Sequence, residues 1–204
     1  MPWRRRTTSK RSPPTSTSPR RSSPKRADPG ALRVLGVDPG SAVTGYGVVE
    51  RRHGAVRCID CGTIHAGTGA LPDRLLAVHD GLIEIIEAHR PTAVAIENAF
   101  LGKNVRTLAV ISQTRGALVI AARRARVPVF EYTPRQVKLA VVGTGRASKA
   151  QIAYMVGVLL ALPTTGFARD ATDSLAVALC HLQRDGTRAM PLKEIPATGQ
   201  GRFA

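Results

Sequence analysis

Between residues 32 and 64 short apolar runs alternate with glycine and polar breaks. The runs at 32–37, 45–50 and 56–64 have strand length and are rich in valine and isoleucine, so they predict three β-strands. A turn at His53-Gly54 joins the second to the third, and such short links make an antiparallel meander the natural pairing. The period then changes. From 71 to 89, Leu75, Leu76, Val78, Leu82, Ile83, Ile85 and Ile86 recur at helical spacing, and Pro91 ends that helix. TAVAIE at 92–97 reads as a short buried strand, 104–126 as a long helix, VPVFEY at 127–132 as another strand and 134–142 as a short helix. Ser148 and Gln151 have capping-box spacing and open a helix to about residue 160. Beyond the LPTTGFAR loop a last helix covers 170–182.

Strand–helix–strand crossovers are parallel and right-handed. The element order therefore predicts an α/β fold: a mixed five-stranded sheet, a three-strand antiparallel meander plus two parallel strands, with helices on both faces. Residues 1–30, rich in Ser, Pro and Arg, cannot build a core and read as a disordered basic arm. The folded domain is expected over 31–184 and a flexible tail over 185–204.

Charge narrows the function. The chain carries 30 Lys+Arg against 14 Asp+Glu, a net charge of +16. Nine of those cations and one acid lie in residues 1–30, so the remainder keeps +8 of its own. A cationic folded domain fits a polyanionic partner, nucleic acid above all, although solubilising charge alone would also make a chain basic. No run approaches the roughly 18–20 apolar residues needed to span a bilayer, and MPWRRRTTSK lacks the apolar stretch of a secretory signal. A cytoplasmic protein without a membrane partner is the expectation. Cys58 and Cys61 spell C-x-x-C, but no second pair exists and Cys180 is distant. In an extended segment positions three apart face opposite ways, so reduced structural thiols are expected.

Four acids carry the candidate chemistry. Asp38 closes the apolar run VLGV and Glu97 closes VAI. Strands in a sheet lie about 4.8 Å apart, so acids at matching ends can converge. Asp170 and Asp173, spaced i,i+3, share a face of the last helix. Each acid has an ordinary explanation: the last two could complement a helix dipole, Glu97 could pair with Lys103, and Asp38-Pro39-Gly40 could be a plain turn. Jointly, four carboxylates need a hard cation among them, and Mg²⁺ takes a few carboxylates plus waters. Gly40, Gly45 and Gly47 permit a tight return and the approach of a polyanion beside Asp38. A D-x-G loop also occurs in actin-like and sugar-kinase ATPases, but no second such loop or adenosine pocket is visible in the sequence.

VLGVDPGSAVTGYGVV, AIENAFLGKN, QTRGALVIAA, FEYTPRQVKLAVVGTGRASKAQI and ARDATDSLAVALCH each resemble the RuvC family of Holliday-junction resolvases, in its order and spacing, over roughly residues 32–183. The resemblance implies an RNase H-like fold, a homodimer formed largely by the helix at about 104–124, and cleavage of four-way junction DNA. It implies a branch-migration complex, RuvA–RuvB, as a further partner. Its catalytic, metal-holding carboxylates fall on Asp38, Glu97, Asp170 and Asp173, its two functional lysines on Lys138 and Lys149, and its junction-touching aromatic on Phe100. The cofactor implied is Mg²⁺, two ions per site, with Mn²⁺ able to substitute. Lys103, Arg106, Arg115, Arg135 and Arg146 are the candidates for backbone phosphate contacts. Generic RNase H-like nucleases and a catalytically inert junction-binding protein are the rival readings.

Overall fold

A computed structural model describes residues 31–98, 105–162 and 169–184, the side chains at 169 and 170 excepted. The expected arm at 1–30 and tail at 185–204 lie outside those residues, as do Phe100 and Lys103. In chain order the elements are β1 (Leu32–Asp38), β2 (Val43–Arg52), β3 (Ala55–His65), α1 (Leu71–His89), β4 (Ala93–Glu97), α2 (Val105–Arg124), β5 (Val129–Tyr132), α3 (Pro134–Val142), α4 (Lys149–Leu160) and α5 (Arg169–Arg184). The sheet order is β3-β2-β1-β4-β5, antiparallel among β1, β2 and β3 and parallel across β1–β4 and β4–β5. This is the mixed sheet that the hydrophobic pattern predicts.

Local chemistry explains most boundaries. His53 and Gly54 both take positive φ, 49° and 80°, the combination whose twist suits a two-residue hairpin. Helix α1 stops at a left-handed Arg90 just before Pro91. Ser148 and Gln151 form the expected capping box, and Thr133 with Gln136 forms a second one at the start of α3. Helix α2 ends two residues before the expected 126, because Arg126 turns left-handed and Val127 N–H caps Ala122 C=O.

Two cores sandwich the sheet. Leu35, Val37, Val48, Val94 and Ile96 face α1 and α2. Val34, Val49, Ala95 and Tyr132 face α3, α4 and α5. Helix α5 lies directly on the middle of the sheet, and two glycines make that possible. A Cβ at Gly36 would sit 2.0 Å from Ser174 C=O and 2.7 Å from Ala178 N, and one at Gly47 would sit 2.7 Å from the Leu175 side chain. Gly47 therefore serves helix packing; nothing in its surroundings reserves it for a polyanion.

One part of the cysteine expectation, that Cys58 and Cys61 face opposite ways, is corrected. A register shift between Val48 and Val49 pairs Val48 with Asp60 and Val49 with Cys58, so Ile59 is the extra residue of a β-bulge. The bulge cancels one alternation. Cys58 and Cys61 thus share the α5-side face, where both pack against the core and their thiols hydrogen-bond to each other. Both are free thiols.

Candidate active site

Asp38 and Glu97 end β1 and β4, which are neighbours in the sheet and paired in parallel up to Val37 and Ile96. The alternation that sends Val34 and Ala95 toward α5 sends both acids the same way. Asp173, on the fifth residue of α5, meets them from above. The position of α5 is set by its buried strip of Leu175, Val177, Ala178 and Leu182, pressed onto β1 and β2. Asp170 falls in the first turn of the same helix, and its side chain is outside the described residues.

The electrostatics are those of crowded carboxylates. Glu97 hydrogen-bonds with Asp38, and its carboxyl is pushed up to about 7, first by burial and then by the charges of Asp38 and Asp173. Lys149 opposes that shift. It is the first residue of α4, placed there by the Ser148 cap, and its Nζ donates to Asp173 Oδ2 at 3.1 Å. That hydrogen bond raises the lysine's own pKa. The ammonium remains 81% exposed, against 23% for its partner, so the pair is screened and weak.

Three hard-oxygen acids with one of them held partly protonated fit a divalent cation, which would replace the missing positive charge. Among the described residues no three acid, His or Cys side chains already stand in coordinating arrangement. Asp38 and Asp173 each act on Glu97.

The raised carboxyl makes a stability prediction. Glu97 titrates at about 7 in the folded chain against its ordinary 4.5. Folding is therefore favoured by this group below about pH 4.5, and that contribution is lost as pH rises through 7. In EDTA at pH 8, Glu97→Gln should be more stable than the parent chain by on the order of 1–3 kcal/mol, with the gap closing by about pH 5. Urea unfolding at the two pH values checks it; a gap that is equal at both would show that Glu97 is not strained by its neighbours.

The other candidate residues separate by location. Arg135 and Arg146 line one cavity of about 820 Å³ with Thr133, Gln136, Leu139 and Thr144, between the start of α3 and the α3–α4 loop. Lys138 is half-buried on α3, and Arg106 is exposed in the first turn of α2. Arg115 is committed elsewhere: its Nη2 donates to Glu131 Oε1 in a largely buried ion pair. Sequence reading passed over Glu131, although it is a third acid near the end of an apolar strand. It also passed over Gly36, whose signal was a glycine inside an otherwise apolar strand.

Comparison with known proteins assigns the chain to a family. The family described as "Crossover junction endodeoxyribonuclease RuvC" matches residues 34–181. A protein of that description from Pelotomaculum thermopropionicum is 49% identical over 151 residues, covering 74% of this chain and 92% of the relative. One from Alkalilimnicola ehrlichii is 46% identical over 157 residues, covering 77% and 94%. Among solved structures, Thermus thermophilus RuvC in complex with a Holliday junction substrate superposes with a TM-score of 0.74 at 33% identity, covering 79% of this chain and 99% of that one. With carboxylates at adjacent strand ends, α5 carrying Asp173 over them, and relatives matched along nearly their whole length, this chain belongs to the RuvC family of crossover junction endodeoxyribonucleases.

Proposed function

We propose that this chain is a structure-specific endonuclease that resolves four-way DNA junctions by divalent-metal-dependent hydrolysis of the phosphodiester backbone. The observation that carries the reading is the meeting of Asp38, Glu97 and Asp173 at one end of the sheet, with Glu97 unable to ionise normally beside its neighbours. Asp38, Glu97, Asp173 and Asp170 would hold Mg²⁺. When bound, the metal supplies an activated water and shields charge on the leaving oxygen. The residues do the rest. Asp38, hydrogen-bonded to Glu97 at the end of the central strand, would be one of the carboxylates that hold the metal. Lys149 is exposed and hydrogen-bonded to Asp173, with Asp38 and Glu97 also acting on its charge, so once the carboxylate charge is neutralised its ammonium is available to a phosphate. Arg135 and Arg146 offer two cations in one cavity for the backbone of a DNA arm.

The partner organisation follows from symmetry. A four-way junction is nearly two-fold symmetric, and a homodimer would present two equivalent sites to opposing strands. Helix α2 is the face for it: Val105 and Ile120 are 83% and 62% exposed, and Gly116 has open space above its Cα. A RuvA–RuvB type of branch-migration complex is the further partner that family membership supports.

A synthetic four-way junction and a linear duplex of equal length, each with Mg²⁺ or EDTA, test the proposal. Paired, symmetric nicks only in the junction with Mg²⁺ are expected. Equal cutting of the duplex, or cutting in EDTA, would overturn it.

A further inference from the structure

Glu131 lies on β5 opposite Ile96 of β4, one residue before the pair formed by Glu97 and Tyr132. Alternation along β4 points Glu97 toward α5 and its neighbour Asn98 toward α2, the side on which Ile96 is buried. Behind the catalytic end of the sheet, the Glu131 carboxylate is then gripped from two directions. Arg115 of α2 donates to Oε1, and Asn98 Nδ2 donates to Oε2 at 3.4 Å. The Asn98 backbone N–H bonds to Tyr132 C=O at 2.8 Å, which extends the β4–β5 ladder past Glu97. Arg115 and Glu131 side chains are only 24% and 19% exposed, so the pair is largely withdrawn from solvent.

Two consequences follow from elementary electrostatics. A guanidinium already paired with a part-buried carboxylate has little net charge to offer a phosphate, and removing either partner would leave the other charge stranded. And because Asn98 follows Glu97 directly, anything that fixes Asn98 to β5 and α2 fixes where the Glu97 carboxyl can point.

We propose that Arg115 and Glu131 are positioning residues for cleavage: through Asn98 they brace the strand end that carries Glu97 against α2, and Arg115 is not a DNA phosphate contact. The brace ties the candidate dimer helix to a metal-holding acid, so assembly and site geometry are mechanically linked. This inference rests on the nuclease reading of the carboxylates.

The test uses the full chain and three variants, Arg115→Met, Glu131→Gln and the two combined. Junction affinity is measured in Ca²⁺ across a salt series, and single-turnover cleavage across a Mg²⁺ series. Each single variant should cleave roughly 10–100-fold more slowly at saturating protein and need several-fold more Mg²⁺ for half-maximal rate. Junction affinity and its salt slope should stay at the parent values, and the combined variant should be no worse than either single one. A merely structural role would lower stability without moving the Mg²⁺ midpoint. Loss of affinity with a salt slope smaller by about one for Arg115→Met, and no effect of Glu131→Gln, would make Arg115 a phosphate contact and overturn the proposal. Unchanged cleavage in both singles would also overturn it. If Arg115→Met fails to fold, Arg115→Lys, which keeps the charge but loses the planar fork, should still shift the Mg²⁺ midpoint with affinity intact. Should the parent chain itself leave junctions uncut, the nuclease reading fails, and the salt slopes still decide whether Arg115 touches DNA.

Discussion

Asp38→Asn should abolish junction cleavage, by at least about a thousandfold, while leaving junction binding intact. The size follows from the place of this residue. It ends the central β1, hydrogen-bonds with Glu97, and contributes the largest charge effect on it. An amide there would take one anionic ligand from the carboxylate set that would hold the divalent metal, and a thousandfold loss corresponds to about 4 kcal/mol of lost transition-state stabilisation. Binding is a different matter. The substitution removes a negative charge from a cationic protein, and phosphate contacts depend on the cations that remain. Affinity for a four-way junction in Ca²⁺ should be equal or slightly tighter. The variant should also relieve the crowding of Glu97 and so raise stability in EDTA at pH 8. Cleavage within tenfold of the parent rate in Mg²⁺ would remove Asp38 from the centre of the site, and weaker binding would show that the site and the DNA surface are not separable.

The second large effect is structural. Gly36→Ala should destabilise the fold by on the order of 3–5 kcal/mol, a large share of a typical domain's total. An added Cβ would stand 2.0 Å from Ser174 C=O and 2.7 Å from Ala178 N, both of them helix backbone that no rotamer change can move aside. The whole of α5 must lift, and Asp173 rides on it. Stability and cleavage should therefore fall together. Gly157→Ala is the contrasting case: a helical glycine with no atom within 4 Å of the new Cβ, where alanine's better helix propensity should leave stability unchanged or raised by up to about 1 kcal/mol. Urea midpoints of the two variants decide the matter. If Gly36→Ala matches the parent, α5 is not seated on β1 as described.

The same contact shows what kind of information each level holds. Alternation, helical period and turn chemistry are local properties, and they reported local structure well. His53-Gly54 made the hairpin, Ser148 and Gln151 capped α4, and Pro91 closed α1, because each acts within a few residues of itself. The strand-ending acids were legible for the same reason: a carboxylate that terminates an apolar run is a local anomaly. Strand count and the mixed character of the sheet followed from element order and the handedness of crossovers. Where one extra residue intervened, local reading failed. The Ile59 bulge put Cys58 and Cys61 on one face, against the alternation of an ideal strand, and nothing in RCIDCGTI marks where the partner strand will slip.

By itself, then, the chain's order of residues determined the elements, the basic surface, and which acids to suspect, since these depend on neighbours in sequence and on composition. Only the tertiary structure decided that Gly36 and Gly47 are seats for α5, that Glu97 is crowded enough to hold its proton to about 7, and that Arg115 meets Glu131 rather than solvent. Those facts join residues 16 to well over a hundred positions apart. Their energies arise from contact and from the exclusion of water between elements, and no local pattern encodes either.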